Sequence, residues 1–408
     1  MNASLDSSSG SSTHASTRTS PHREHKADGG NAENGFGQAQ LLDLTGDPIA
    51  LTAALVDIAS PSHHEEDIAN ALESALRATV PPEVEVLRYH NNVLARTHRG
   101  LGSRVILAGH LDTVPLADNV PHRRGEDAQG RDTLFGCGTV DMKSGLAVYA
   151  QAFASLAGAE NLRHDLTFIA YEGEEVATEF NGLGHIEKEH PEWLRGDIAL
   201  LGEPSGGMIE AGCQGSIRLR VQATGARAHS ARAWLGDNAI HRLSPVIERI
   251  AQYTPREAVE IDGCVYREGL NVVRLEAGVA NNTIPDEAWF FVNFRFAPDR
   301  TSEQAMEHLL EVLGIEGEEN LSYEVDDVAG AAAPGLGAPA AQDLVQAVGG
   351  QVRAKYGWTD VSRFGQLGIP AVNFGCGDPG YAHKKDEQCP VEHISAVSEV
   401  LHRYLTGA

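Results

Sequence analysis

Hydrophobic side chains recur at helical spacing over residues 49–58 and again over 65–78, with the segment Ser60-Pro61-Ser62 between the two runs. Apolar residues three and four positions apart share one face of a helix, so this pattern predicts two helices before the first buried strand. A serine of the intervening segment is expected to cap the second helix.

Four short runs of uninterrupted apolar residues follow, and helical patterns separate several of them. The runs cover residues 105–108, 166–170, 198–201 and 371–374. Continuous hydrophobicity is typical of strands that are buried on both faces, as in parallel sheets covered by helices. The pattern therefore predicts an α/β domain built on a central sheet.

The segment 216–330 has a different pattern of apolar and polar residues. It alternates over 217–221 and 289–296, which indicates strands with one buried face. It also shows helical spacing over 238–253 and 302–313. We expect an α+β domain that is inserted into the first domain.

The predicted organisation of the chain includes a tail and a divided domain. Residues 1–40 are rich in Ser, Thr, Gly, Asn and His and nearly lack large apolar side chains, so they are predicted to be a disordered tail. A catalytic domain formed by 41–215 and 331–408 then surrounds the inserted domain, 216–330. The Ala-, Gly- and Pro-rich stretch 330–341 is expected to return the chain to the first domain.

Net charge restricts the kinds of partner. The 408 residues include 57 acidic and 32 basic side chains, which gives a formal net charge of -25. Such a charge repels nucleic acid and anionic lipid, so neither is expected as a partner. An anionic substrate must then be bound by a few local cations or metal ions.

The five cysteines are odd in number, scattered, and without a C-x-x-C pair. That pattern suits neither a disulfide framework nor a thiolate zinc site. We expect no membrane span and no signal peptide, because no apolar run is long enough for either. A cytoplasmic location is therefore expected.

The first candidate site residues lie in the motif G-H-L-D-T-V-P, directly after the first apolar run. Positions two apart project to the same side of an extended strand, so His110 and Asp112 can share one site. A carboxylate beside a histidine can fix its tautomer while the other ring nitrogen binds a metal. A structural histidine paired with a surface aspartate is the alternative for this motif taken alone.

Other motifs contribute further carboxylates and a second histidine. In G-C-G-T-V-D-M-K-S-G, Asp141 precedes an expected helix, where it could also be a helix cap. Y-E-G-E-E places Glu174 and Glu175 just after the second apolar run, where a solvated acidic loop is the alternative. G-E-P contributes Glu203 after the third run, and Y-A-H contributes His383 after the fourth.

The recurrence of these residues after apolar runs is the main argument for one common site. Functional sites in open α/β sheets lie beyond the carboxyl ends of the strands. Imidazole and carboxylate ligands without thiolates suit zinc, and manganese or cobalt also fits. The sequence thus predicts a metal site at this edge of the sheet.

The same motifs resemble the zinc acylase, aminoacylase and carboxypeptidase superfamily over nearly all of the chain after residue 41. The resemblance implies a three-layer, zinc-peptidase-like catalytic domain with an inserted ferredoxin-like domain for dimerisation and as a lid. It also implies that Asp141 bridges two zinc ions, that His110 and Glu203 complete one site, and that Glu175 and His383 complete the other.

For catalysis, the resemblance implies that Glu174 is the general base and that Asp112 orients His110. Two zinc ions would polarise an amide carbonyl and lower the pKa of a bridging water, whose proton Glu174 would pass to the leaving amine. The resemblance further implies a homodimer in which His229 reaches the scissile carbonyl held by the partner subunit. An exposed loop histidine is the alternative interpretation of His229.

Substrate-binding residues are predicted from the resemblance and from arginine chemistry. Asn282 and Arg295 match the substrate-binding asparagine and arginine of the superfamily, and an arginine can clamp a carboxylate with two hydrogen bonds. The segment 358–364, which contains Arg363, resembles deacylases that release succinate from a diamino dicarboxylic acid. Better-known members of that branch carry an arginine pair where this chain has Cys-Gln.

The expected substrate is therefore a small N-acyl amino acid, hydrolysed in amino-acid biosynthesis. Another deacylase, similar to acetylornithine deacetylases, and a carboxypeptidase or dipeptidase are the alternatives among enzymes, since they differ only in pocket side chains. A non-catalytic zinc-binding scaffold is the alternative from another class. The adjacent Glu174 and Glu175 favour an enzyme, because a metal site alone does not need both.

Overall fold

The computed structural model describes residues 42–407, and the predicted disordered tail, 1–40, lies outside them. The helices in this part of the chain are α1 (Pro48–Asp57), α2 (Glu66–Thr79), α3 (Lys143–Leu156), α4 (Gly182–Glu189), α5 (Ala239–Gln252), α6 (Ser302–Leu313), α7 (Pro339–Ala347), α8 (Val361–Gln366) and α9 (Val391–Thr406). Short 3₁₀ turns cover Thr178–Phe180, Pro191–Leu194, Ser230–Leu235 and Pro379–Tyr381.

The strands of the described residues form several sheets. They are β1 (Glu85–Tyr89), β2 (Asn92–Arg96), β3 (Arg104–His110), β4 (Arg123–Glu126), β5 (Asp132–Phe135), β6 (Asp165–Tyr171), β7 (Ile198–Leu201), β8 (Ile209–Ala211), β9 (Gly215–Thr224), β10 (Ala228–His229), β11 (Val259–Ile261), β12 (Cys264–Tyr266), β13 (Gly269–Ala277), β14 (Thr283–Ile284), β15 (Glu287–Phe296), β16 (Leu321–Ala329), β17 (Val352–Ala354), β18 (Ala371–Asn373) and β19 (Gln388–Pro390).

The largest sheet has the strand order β1-β2-β6-β3-β7-β18-β8-β17. Its four central strands β6, β3, β7 and β18 run parallel to one another. They coincide with the four predicted apolar runs. Their residues are buried on both faces, which explains the continuous hydrophobicity. The carboxyl ends of these four strands therefore meet at one edge of the sheet.

Helices cover both faces of this sheet. On one face, α1, α2, α3, α7 and α9 share a core that includes Leu107, Phe153 and Leu401. On the other face, α4 and α8 pack on a second core that includes Leu183 and Phe364. The predicted three-layer α/β class is confirmed. Among residues 42–407, every helix is too short or too polar to span a lipid bilayer.

The segment predicted as an insertion forms an antiparallel sheet with the order β13-β15-β9-β16 and a separate core. Helices α5 and α6 cover one face of it, and the alternating residues Ile217, Leu219 and Val221 of β9 lie in that core. The element order β-α-β-β-α-β is that of a ferredoxin-like unit. Because residues 42–407 belong to one compact unit, the exact boundaries of the domains stay predictions.

The predicted serine cap of the second helix is wrong. Glu65 occupies the N-cap position of α2 without a capping side-chain hydrogen bond. The hydroxyls bind the segment after β3 instead: Ser60 Oγ donates to the carbonyl of Leu111 at 2.7 Å, and Ser62 Oγ donates to Asp112 Oδ2 at 2.8 Å. These serines therefore support the candidate site rather than the helix.

Candidate functional site

Two histidines and three carboxylates meet at the carboxyl edge of the large sheet. His110 is the last residue of β3, Glu203 lies two residues after β7, and Glu175 lies four residues after β6. Asp141 comes shortly before α3, and His383 follows the 3₁₀ turn that ends at Tyr381. Their ligand atoms form two groups that share Asp141, one with His110 and Glu203 and the other with Glu175 and His383.

Each oxygen of Asp141 faces a different histidine. Oδ1 lies 3.2 Å from His110 Nε2, and Oδ2 lies 3.2 Å from His383 Nε2. Asp141 is not the helix cap considered for it, because Met142 occupies the N-cap position of α3. The carboxylate is thus available to two neighbouring groups at once.

The tautomer of His110 follows from its hydrogen bond to the backbone. Its Nδ1 lies 2.9 Å from the carbonyl oxygen of Asp112, which can only accept, so Nδ1 carries the hydrogen. Nε2 then faces Asp141 Oδ1, so either a proton on Nε2 or a metal cation can link the two groups. Burial by itself lowers the pKa of His110, but the contact with Asp141 and the charges of Asp112 and Glu174 outweigh it and raise the pKa.

His383 is arranged in the same way on the open side of the site. Its Nε2 lies 3.0 Å from Glu175 Oε1, and its hydrogen bonds to Asp141 and Glu175 raise its pKa to about 10. The side chain of His383 is 52% exposed, whereas that of His110 is fully buried. The site therefore opens to solvent near His383.

The donor set fits a pair of divalent cations. Burial, followed by the charge of Asp141, raises the pKa of Glu203 to about 7, so a nearby cation would favour the ionised form of this carboxyl group. Imidazole nitrogens and carboxylate oxygens that converge without thiolates are suitable ligands for zinc and for related divalent ions.

Asp112 holds the loop after β6 in addition to the histidine. Its Oδ1 accepts a hydrogen bond from the backbone N–H of Glu174 at 3.1 Å, and its Oδ2 accepts from the N–H of Glu175 at 3.0 Å. The carboxylate is 3.5 Å from His110 Nδ1, farther than the carbonyl of the same residue. The side chain of Asp112 thus acts mainly on the glutamates, and its backbone carbonyl orients His110.

Glu174 lies beside the two candidate metal groups, and it forms a third cluster with His110 and Glu175. Burial raises the pKa of Glu174 well above its ordinary value, and the negative charge of Glu203 raises it further. A carboxyl group in this environment holds a proton more readily than a solvated one.

Glu387 is a supporting residue that sequence reasoning missed. The side chain is 2% exposed, and its Oε1 accepts hydrogen bonds from the backbone N–H groups of Val140 at 2.9 Å and Asp141 at 3.0 Å. In the sequence it belongs to the charged stretch K-K-D-E, which resembles a solvated loop. Its position four residues after His383 is the only signal that could have drawn attention to it.

Close backbone packing brings Asp141 and Glu203 together. A Cβ atom on Gly145, in the first turn of α3, would lie 1.9 Å from the carbonyl oxygen of Gly202. No side chain can be accommodated at that distance, so the glycine of D-M-K-S-G lets α3 approach the end of β7.

Arg295 shares a cavity with the two glutamates. The cavity has a volume of about 850 Å³, and it is lined by Glu174 and Glu175 on one side and by Arg218 and Arg295 of the inserted sheet on another. The described side chains therefore bring this predicted substrate arginine to the candidate site.

The other three residues predicted to contact the substrate, His229, Asn282 and Arg363, do not line that cavity. His229 and Asn282 lie together at the β10–β14 pair, where the N–H of Ser230 donates to the carbonyl of Asn282. Arg363 Nη1 donates to Glu187 Oε2 at 2.9 Å. The substrate roles of these three residues stay predictions.

Comparison with known proteins gives close relatives. A succinyl-diaminopimelate desuccinylase of Corynebacterium glutamicum is 61% identical over 366 residues, which cover 90% of this chain and 98% of that protein. A putative succinyl-diaminopimelate desuccinylase of Mycobacterium tuberculosis is 55% identical over 90% of this chain and 100% of its own length.

Solved structures of lower identity share the fold. A tripeptidase of Staphylococcus aureus has a TM-score of 0.69 and 19% identity, with coverage of 90% of this chain and 98% of that chain. A Bacillus subtilis protein, described as a dinuclear metal binding peptidase, has a TM-score of 0.63 and 15% identity, with coverage of 89% and 98%. The family model for peptidase family M20/M25/M40 matches residues 106–407. The chain therefore belongs to this family of hydrolases, which act on amide bonds.

Proposed function

We propose that this protein hydrolyses N-succinyl-LL-2,6-diaminopimelate to succinate and LL-2,6-diaminopimelate, in the biosynthesis of diaminopimelate and lysine. The observation that carries the proposal is 61% identity, over nearly the full length of both chains, to a succinyl-diaminopimelate desuccinylase. The two groups of histidine and carboxylate ligands that share Asp141 support it further, because they could hold the metal ions of a metal-dependent hydrolase.

Two zinc ions are the proposed cofactors, with cobalt or manganese as substitutes. His110 and Glu203 would hold one ion, Glu175 and His383 would hold the other, and Asp141 would contact both through its separate oxygens. When bound, the ions would polarise the scissile carbonyl and lower the pKa of the attacking water.

Glu174 is the proposed general base and acid. Its carboxylate takes a proton as the water oxygen attacks the amide carbon, and it returns that proton to the amine nitrogen as the C–N bond breaks. Its burial and the nearby charge of Glu203, which raise its pKa, favour acceptance of the proton. The two N–H bonds to Asp112 keep the Glu174-Glu175 segment in place during this transfer.

Arg295 is the proposed clamp for a substrate carboxylate, because its guanidinium lines the cavity next to Glu174. Asn282 and Arg363 are proposed as further substrate contacts on the strength of the family resemblance. Arg363 forms an ion pair with Glu187. To contact the substrate directly, its guanidinium group would have to leave that carboxylate.

A homodimer is proposed, in which His229 completes the site of the partner subunit. Support comes from β13, the outer strand of the inserted sheet, where Val273, Leu275 and the following Val279 are 48–58% exposed. An apolar edge strand is a surface that a second copy can cover by strand pairing. Sedimentation equilibrium is expected to give the mass of two chains, and a single monomeric species at enzyme-assay concentration would contradict the role of His229.

The proposed reaction is tested by amine release from N-succinyl-LL-diaminopimelate, N-acetylornithine and a dipeptide. Metal-stripped protein is expected to be inactive, and zinc-restored protein is expected to prefer the succinylated substrate by at least about 100-fold in kcat/KM, since a site built for a polar group rejects analogues that lack it. Preference for another amide would replace the substrate but keep the reaction class. Zinc binding without turnover of any of the three would indicate a non-catalytic scaffold.

A further inference from the structure

The cavity beside Glu174 has a wall of charged side chains, most of which have no role in the proposed reaction. Besides Arg295, the inserted sheet contributes Arg218 of β9 and the adjacent Asp326 and Asp327 of β16 to its lining. The wall therefore presents two guanidinium groups and two carboxylates to the same space. A mixed set of this kind complements a ligand that carries both signs of charge.

Strand register puts these groups side by side. In the pairing of β9 with β15, Ser216 lies opposite Arg295, and in the pairing of β9 with β16, Arg218 lies opposite Asp327. Residues 216 and 218 are two apart, so they project from the same face of the sheet. That face is opposite to the one that α5 and α6 cover, because the intervening Ile217 lies in their core.

A β-bulge adds the second carboxylate. The register of β16 against β9 shifts between Val325 and Asp327, which leaves Asp326 as an extra residue. Bulges of this kind redirect a side chain and are frequent next to active sites. Here the bulge brings Asp326 into an ion pair with the Nε of Arg218, while Asp327 also lines the cavity.

Among the described residues, the guanidinium group of Arg295 has no salt-bridge partner, whereas that of Arg218 pairs with Asp326. Within residues 42–407, the hydrogen bond from the Arg295 guanidinium is that of Nε to Asn293 Oδ1, at 3.2 Å. Burial lowers the pKa of Arg295, Asp327 opposes this effect, and the charge of Arg218 adds to it. A ligand carboxylate between the two arginines would relieve this unfavourable environment.

We propose that Arg218, Asp326 and Asp327 form a subsite for the zwitterionic amino-acid group at the unacylated end of the substrate. This inference rests on the proposed function, since LL-diaminopimelate carries such a group several carbons from the scissile amide. The ligand carboxylate binds between Arg218 and Arg295, and its ammonium group binds Asp326 or Asp327. Arg218 is then a specificity-determining residue, because an acyl amino acid without the distal charges leaves these groups without ligand partners.

The test compares two substrates that differ only at the distal end. N-succinyl-LL-diaminopimelate carries the zwitterionic group, and N-succinyl-L-norleucine has the same succinyl amide on an apolar chain. The variants are Arg218→Ala and Asp326→Asn, with Arg220→Ala as the matched control. Arg220 lies on the same strand and face but pairs with Glu287 and Glu324 outside the cavity.

For the first substrate, Arg218→Ala and Asp326→Asn are each expected to raise KM by roughly tenfold or more, the factor for one lost hydrogen bond to a charged group. Their kcat values, and both constants for the norleucine substrate, are expected to change by less than about threefold. Arg220→Ala is expected to match the wild type on both substrates. A merely structural ion pair would instead change both substrates alike.

Equal losses on both substrates, or no loss on either, would overturn the subsite while leaving the proposed function intact. Wild-type protein that hydrolyses neither succinylated substrate would overturn the proposed function, and the subsite with it. If Arg218→Ala fails to fold, the nearly isosteric Asp326→Asn variant decides the question in the same assay.

Discussion

Replacement of Glu174 by glutamine is expected to lower kcat by about 10²- to 10⁴-fold, the usual contribution of a positioned general acid–base group. Glutamine keeps the size of the side chain and one oxygen but cannot take up the proton of the attacking water. The backbone N–H of residue 174 can still donate to Asp112, so the loop geometry should survive the change. The metal groups around Asp141 do not require Glu174, and the metal content is therefore expected to stay unchanged.

Steady-state kinetics and elemental analysis of the same preparation measure this prediction. Glu179→Gln is the matched control, because Glu179 lines the same cavity from an exposed position in the following 3₁₀ turn. The control is expected to retain kcat within about threefold. Near-normal turnover of the Glu174 variant, with metal bound, would remove the general-base role from Glu174.

Much of the site could be predicted because its residues follow recognisable strands. His110, Glu175 and Glu203 come directly after apolar runs that form the adjacent parallel strands β3, β6 and β7. In a parallel arrangement the carboxyl ends of the strands share one edge, so sequence position already determines spatial proximity. The alternating pattern of β9 predicted the inserted sheet for a similar reason, because one of its faces is buried under helices.

The contacts that hold the site residues in place were not predictable. Glu387 reaches Asp141 across 246 positions of sequence, and Asp112 reaches Glu174 across 62. Nothing in the local sequence pattern distinguishes these carboxylates from surface charges. The difference is that each accepts hydrogen bonds from backbone N–H groups that are distant in the sequence. The predicted serine cap of α2 was wrong for the same reason. A serine before a helix ordinarily caps it, but Ser62 donates to the distant Asp112.

Arginine roles depend even more strongly on tertiary neighbours. Arg295 and Arg218 line the cavity because β9 and β15 pair in one particular register, and a shift of one residue would put the two side chains on opposite faces of the sheet. Arg363, which looks equally suitable in the sequence, donates to Glu187 instead. An arginine in a very acidic chain is thus a weak indicator of substrate binding until its neighbouring carboxylates are known.

Asp141→Ala is expected to remove both metal ions and to abolish turnover, whereas Glu203→Ala is expected to remove only one ion. The asymmetry arises because the two oxygens of Asp141 face His110 and His383 separately, at 3.2 Å each, while Glu203 belongs to a single group. Loss of the shared carboxylate also removes a negative charge that would attract both cations. Wild-type protein that is loaded with excess zinc and then dialysed free of unbound ion should therefore hold about two ions per chain, the Glu203 variant about one, and the Asp141 variant fewer than one.

Mass-spectrometric metal analysis and isothermal titration of the stripped proteins measure these stoichiometries, with circular dichroism as the check on folding. Asp118→Asn is the matched control, because that carboxylate is 98% exposed and its salt bridge within residues 42–407 is a 3.8 Å contact with Lys385. It is expected to bind zinc as the wild type does. Retention of two ions by the folded Asp141 variant would show that Asp141 is not the shared ligand, and loss of both ions from the Glu203 variant would show that the two groups fill only together. In either case the division of ligands between the groups would have to be drawn differently, since the distances alone permit His110 to act with Glu174 and Glu175.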